Sequence, residues 1–266
     1  MKKTAVLLLS LGLTAVVSCR SAQPAFQTEM DSATAQKVNT LLRTVTIPGR
    51  NKSHGERVRD LSAAFLGTPY QADTLKGSAL TPEVLVANFN GVDCYTLIDY
   101  VEALTRATSA DNFLTRLIRV RYVNDKVSYL SRKHFFTDWY AISPHNAEDI
   151  TRSLSPAAIA VEKTLNRKAD GGEYIAGLGS VPRTIAYLPG NAISQQVLDK
   201  LHTGDYVGVY SPLAGLDVSH TGIVIKRDGQ VWYRNASSLS RNMRVVDTPF
   251  LEYMAKKPGI VVLRVN

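Results

Sequence analysis

The chain predicts an α+β fold in which helices pack on an antiparallel sheet. Three observations predict it. Apolar residues recur with a period near 3.6 up to residue 122, and with a period near 2 from residue 158 onward. Asp228-Gly229 separates two of the later apolar runs, which is a hairpin signature. No internal repeat or long linker interrupts residues 32–266, so they read as one domain that opens with a helical extension.

In chain order, Met1-Lys2-Lys3 precedes an apolar run from Ala5 to Val17 and then Ser18-Cys19. Residues 1–18 read as a cleaved export signal, because the run is too short to cross a bilayer comfortably. Cys19 after Val16-Val17-Ser18 resembles a bacterial lipobox, with Val16 where Leu is usual. That resemblance implies cleavage before Cys19 and acylation of its thiol. Arg20, rather than Asp, follows the Cys, and resemblance to enteric lipoprotein sorting then implies the outer membrane, facing the periplasm. Residues 19–31 are polar and read as a lipidated tether.

Val38, Leu41, Leu42 and Val45 predict a helix from Ser32, stopped near Pro48-Gly49. Val58, Leu61, Ala64 and Phe65 predict a second from His54, stopped by Gly67; Thr68-Pro69-Tyr70 reads as extended. Thr81-Pro82-Glu83 reads as the start of a short helical turn. Asp93 is an N-cap for a helix carrying Leu97, Ile98, Val101 and Leu104 as far as about Ala107, and Asp111–Tyr122 is the next. Strands are expected over 158–165, 183–188, 205–210, 220–226, 231–235 and 260–265, with a helix over 193–201.

Composition narrows the function. Acylation of Cys19 leaves Cys94 as the single free thiol, and a lone thiol in an oxidising compartment is a liability unless it has a use. The net charge is +8, two units of which leave with Lys2 and Lys3. A basic exported surface suits peptidoglycan or a lipid headgroup layer. Export, and the lack of a dense Arg/Lys tract, argue against nucleic acid as a partner.

Cys94 opens its helix, where the dipole and the unpaired N–H groups favour thiolate. His220 begins a strand and is followed by the small Thr221-Gly222; Asn235 ends the next strand. A turn at Asp228-Gly229 brings His220 and Asn235 close, so an amide could orient the imidazole. Turn formation is the rival role for Asn235, and Asp217 is the next candidate for the orienting group. Cysteine on a helix and histidine on a strand suggest a papain-like cysteine hydrolase. His54, His134, His145, His202 and His220 form no close ligand spacing, which argues against zinc; no metal or cofactor is called for.

Four stretches carry a family resemblance: Gly67–Tyr70, Val92–Thr96, Tyr129–Trp139 and Gly215–Gly222. The chain resembles the NlpC-type papain-like cell-wall hydrolases, and more closely the N-acetylmuramoyl-L-alanine amidase-like proteins, from about residue 54 to the end. The resemblance implies Cys94 as nucleophile, His220 as base and Asn235 as orienting group, although the family tends to have His at that last position. It implies cleavage of the amide between the lactyl group of muramic acid and L-Ala, in peptidoglycan or its muropeptide fragments. Tyr70 matches a Tyr that lies close to the nucleophile in these enzymes and could serve the oxyanion; packing on the core is its rival role. Arg132, His134, Asp138 and Trp139 have the chemistry to bind a carboxylate or a sugar face, and equally could pack a loop down. An endopeptidase cutting within the stem peptide and a non-catalytic glycan-binding lipoprotein remain as alternatives.

Overall fold

A computed structural model describes residues 26–265. The export signal, Cys19 and the first part of the tether lie outside these residues. The remainder of the tether is not a free tether. Gln27–Met30 forms a strand, β1, paired in parallel with Val84–Ala87, β2. Thr81-Pro82-Glu83 therefore leads into a strand and forms no helical turn, a correction to the sequence expectation. The reason is the partner: Val84-Leu85-Val86-Ala87 is a short apolar run, and β1 completes its hydrogen bonding. Asp31 then caps helix α1, Ser32–Leu41, by accepting from Thr34 N. Helix α2 spans His54–Ala63, with Ser53 and Glu56 as a reciprocal capping box.

Two longer helices follow, α3 (Cys94–Thr105) and α4 (Ala110–Arg121), and then two single turns, α5 (Asp138–Ala141) and α6 (Thr151–Leu154), flanking the short β3 (Glu148–Asp149). The sheet continues with β4 (Ile159–Leu165), β5 (Val181–Pro189), β6 (Tyr206–Tyr210), β7 (Val218–Arg227), β8 (Gln230–Ser237), β9 (Arg244–Pro249) and β10 (Gly259–Arg264). Helix α7 (Gln195–Lys200) precedes β6, and α8 (Phe250–Met254) precedes β10. The strands lie in the order β4-β5-β10-β6-β7-β8-β9, with β3 added to β10, and every pair is antiparallel. Among the described residues, no helix is long and apolar enough to cross a membrane.

Both faces of the sheet are covered, which is why its central strands are almost wholly buried. On β7, Ile223 and Ile225 turn to the face packed by α1 to α4, while Val224 turns to the face packed by α7 and α8. Alternation does the same on β10, where Val261 and Leu263 face one core and Ile260 and Val262 the other. The turn at Asp228-Gly229 has positive φ at both residues, 54° and 71°, and joins β7 to β8 in two residues.

Candidate active site

Helix α3 places Cys94 at its first position. Asp93 is extended and accepts hydrogen bonds from Tyr95 N (2.9 Å) and Thr96 N (2.7 Å), while its own N–H donates to the Thr96 hydroxyl (3.0 Å). The helix start is thus stapled, and Cys94 is half-buried on top of it. Strand β7 supplies His220. Its neighbour Thr221 turns to the opposite face and donates from Oγ1 to the Cys94 carbonyl (2.8 Å), latching β7 to the head of α3. Sequence reasoning read Thr221 only as a small residue; its hydroxyl is the link between the two halves of the site. Gly222 must lack a side chain, because a Cβ there would stand 2.6 Å from the Tyr233 ring.

His220 Nε2 lies 3.0 Å from Asn235 Oδ1, and Asn235 Nδ2 donates to Tyr233 O (3.1 Å). An amide oxygen only accepts, so Nε2 carries the proton and Nδ1 is the free base of the ring. Continuing the register from Ile223 opposite Arg234 sets Asn235 level with Gly222, two residues along the same face from His220. Asp217, the other candidate orienting group, accepts from Thr137 N and Val218 N, both at 2.7 Å, and anchors the loop before β7 instead.

The electrostatics differ from the sequence expectation in one respect. Burial pushes the Cys94 thiol up to about 11, and the Asp93 charge adds to it; the Thr221 N–H and hydroxyl oppose the rise. The cap that orders the helix start has filled its N–H groups with a carboxylate, which offsets the dipole. Burial lowers the His220 pKa, Asn235 and Asp93 resist this, and Lys257 adds to it. Among the described residues no hydrogen bond joins Cys94 Sγ to the His220 ring. Both shifts favour the neutral forms, thiol and imidazole, over a thiolate–imidazolium pair.

Tyr70 is held between the chain leading to Cys94 and the loop before β9. Its N–H donates to Met243 O (3.0 Å), and Val92 N donates to Pro69 O (3.1 Å). Burial raises the Tyr70 pKa, and the Cys94 and Asp93 charges raise it further, so the phenol lies within their field.

The Tyr129–Trp139 segment is a buttress more than a binding loop. Trp139 is wholly buried, edge-on to Tyr206 at 4.9 Å, and offers no face to a sugar. Asp138 is buried against Arg183 (3.0 Å) and accepts from Phe135 N. Arg132 forks onto Glu83 with two bonds of 2.7 Å, so its guanidinium is already engaged by a carboxylate. His134 is half-buried, with Nε2 2.8 Å from Tyr129 O, and burial lowers it to about 4. Arg132, Asp138 and Trp139 therefore depart from the expectation of a substrate contact because Glu83, Arg183 and Tyr206, all distant in sequence, already engage or bury them, and His134 departs from it because its Nε2 is taken by the nearby Tyr129 carbonyl. The segment still touches the site, since Tyr95, next to Cys94, donates to Phe135 O (2.9 Å). No three His, Cys, Asp or Glu side chains converge as a metal cluster among the described residues.

A family model described as AmiA-like, N-acetylmuramoyl-L-alanine amidase-like, matches residues 60–260. Among solved structures, a protein of Legionella pneumophila str. Philadelphia 1 is 22% identical, covers 88% of this chain and 96% of its own, and superimposes with a TM-score of 0.71. An N-acetylmuramoyl-L-alanine amidase from Bacteroides uniformis is 27% identical over 79% of this chain and 98% of that one, with a TM-score of 0.66. A second structure of an amidase from the same organism gives 28%, 80%, 99% and 0.66. No curated protein matches the chain.

Proposed function

The chain belongs to the N-acetylmuramoyl-L-alanine amidase-like family, and from that premise we propose that it is a cysteine amidase of papain-like, NlpC-type design cutting the muramoyl–L-alanine bond of muropeptides. One observation carries the reading. Cys94 at the head of α3 is latched by Thr221 beside His220, whose ring is oriented by Asn235.

The chemistry follows from the resting state. His220 Nδ1 takes the thiol proton as sulfur attacks the lactyl carbonyl, so thiolate forms only as the new C–S bond forms. The Cys94 N–H, with the Tyr70 hydroxyl, faces the developing oxyanion. The imidazolium returns its proton to the L-Ala nitrogen, the C–N bond breaks, and a thioester remains. Water then attacks the thioester with His220 as base, releasing the lactyl carboxylate and the free thiol. We further propose that the enzyme acts from the envelope, anchored through Cys19 in the outer membrane, because residues 1–19 resemble an export and lipidation signal.

Mass spectrometry of muropeptides incubated with the protein tests this. Free peptide beginning with L-Ala should appear, and Cys94→Ala should abolish it with an unchanged circular dichroism spectrum. Fragments cut within the stem would identify an endopeptidase, and full turnover by Cys94→Ala would end the cysteine mechanism.

A further inference from the structure

One face of the site has no role in the mechanism so far. Helix α8 and the residues after it build this face. Tyr253 stacks on Tyr233 with ring centroids 5.6 Å apart and 25° between planes. Tyr233 in turn meets the His220 ring edge-on, 6.1 Å between centroids. The Lys257 ammonium stands over the Tyr253 ring, 4.4 Å from its centroid. A continuous line of contacts therefore runs from the base to a half-buried cation. Arg241 is exposed in the loop between β8 and β9, two residues before Met243, whose carbonyl accepts from Tyr70 N (3.0 Å). Neither Lys257 nor Arg241 forms an ion pair among the described residues.

A cation here works against the reaction unless something offsets it. His220 becomes an imidazolium during catalysis, and Lys257 already disfavours that form. A negative group arriving with the substrate would neutralise the ammonium and remove the penalty. Substrate chemistry supplies such a group on one side only. The lactyl carboxyl is consumed in the scissile amide and the amino sugar is neutral, so the free carboxylates all belong to the peptide beyond L-Ala.

Resting on the amidase reading, we infer that Lys257, Arg241 and Tyr253 form the subsite for a stem-peptide carboxylate, so that the leaving peptide lies along α8 and the muramoyl group on the other side of Cys94. Lys257 is the main determinant: it is half-buried and pre-positioned over an aromatic face. Arg241 is exposed, so salt screens its contribution, which is felt chiefly in attracting the anion.

The test compares N-acetylmuramoyl-L-Ala-D-Glu with the same compound bearing both D-Glu carboxyls as carboxamides. The natural chain should show a KM about tenfold lower for the acid, the effect of one charge-assisted contact. Lys257→Gln should bring the ratio of the two KM values close to one, and Lys257→Arg should preserve it. Arg241→Gln should reduce the ratio only at low ionic strength. The ratio is the readout, so a general loss of activity does not imitate the result. A ratio that Lys257→Gln leaves unchanged overturns the subsite while turnover upholds the amidase. Calorimetric titration of Cys94→Ala with both compounds separates the two claims from the other direction. Tighter binding of the acid, lost in Cys94→Ala/Lys257→Gln, upholds the subsite even if the natural chain cleaves neither compound. Equal binding of the two compounds overturns it.

Discussion

Two neighbouring residues, Asp93 and Cys94, pull in opposite directions. The carboxylate orders the start of α3, and the same charge adds to the burial that pushes the Cys94 thiol up. With the thiol raised to about 11 and the His220 pKa lowered, the sign of the pH dependence follows. Amidase kcat/KM should rise to a plateau below pH 6.5, where His220 loses its proton, and stay level through about pH 9. In a Cys19→Ala background, alkylation of Cys94 by iodoacetamide should accelerate roughly tenfold per pH unit between pH 7 and 10. A rate independent of pH over that range would mean a preformed thiolate–imidazolium pair. For Asn235, replacement by Ala should lower kcat by about 10- to 100-fold, roughly 1–3 kcal/mol, with little change in KM. Asn235→His should recover much of the loss. Unchanged kcat with a lower melting temperature would make Asn235 a ladder residue only. Asn235 was legible in the sequence because Asp228-Gly229 sets the hairpin register and 15 residues separate it from His220. Trp139, Asp138 and Arg132 were not. Their residue types serve a sugar site and a core equally well, and what decides between them is Tyr206, Arg183 and Glu83, each far along the chain.

At the scale of elements, α2 is docked on the sheet domain through two glycines. A Cβ on Gly55 would stand 2.0 Å from Thr203 O, and one on Gly204 would stand 2.5 Å from Gly55 Cα. Backbone cannot yield as a side-chain tip can, so the contact admits neither. Beside it, Glu102 of α3 is shared by His54 of α2 and Tyr206 of β6, each at 2.8 Å. Arg234 of β8 completes the clamp, forking onto Asp247 and donating to Arg59 O of α2. Gly55→Ala should therefore cost on the order of 3 kcal/mol and lower the melting temperature by several degrees. Gly67→Ala is the control: its φ is +81° but nothing lies within 4 Å of a new Cβ, so only backbone strain of about 1 kcal/mol is expected. Equal melting temperatures for the two variants would remove the docking argument. Both helices of the extension were readable from their apolar spacing and stop residues. Strand β1 was not, since Gln27-Thr28-Glu29-Met30 has no strand pattern of its own and is a strand because β2 lies beside it.

Across the whole molecule, the sheet is a partition with a core on each side, and the site forms where the two sides communicate. His220 and Asn235 share the face of Tyr233 and α8, whereas Thr221 reaches through to α3. The order of helices and strands along the chain announced the α+β class. The second covered face was harder to read, because α6 and α8 are only 4 and 5 residues long and carry too few positions to show a period. The likeness of fold extends over most of this arrangement, since the Legionella protein covers 88% of the chain.

The hairpin also sets the order in which the site comes into being. His220 and Asn235 are 15 residues apart, while the Thr221–Cys94 latch closes over 127. Closing the longer loop costs about 2 kcal/mol more in chain entropy, and it requires α3 to have docked. On dilution from denaturant, β7 and β8 should pair within the fast phase, on the order of microseconds for an isolated hairpin. Hydrolytic activity should then return only in the slowest phase, well after the far-ultraviolet dichroism. Activity regained in step with the first dichroism change would show that nucleophile and base assemble together. On the expected course, a refolding chain passes through a stage in which Asn235 already orients the His220 ring while Cys94 has yet to reach it.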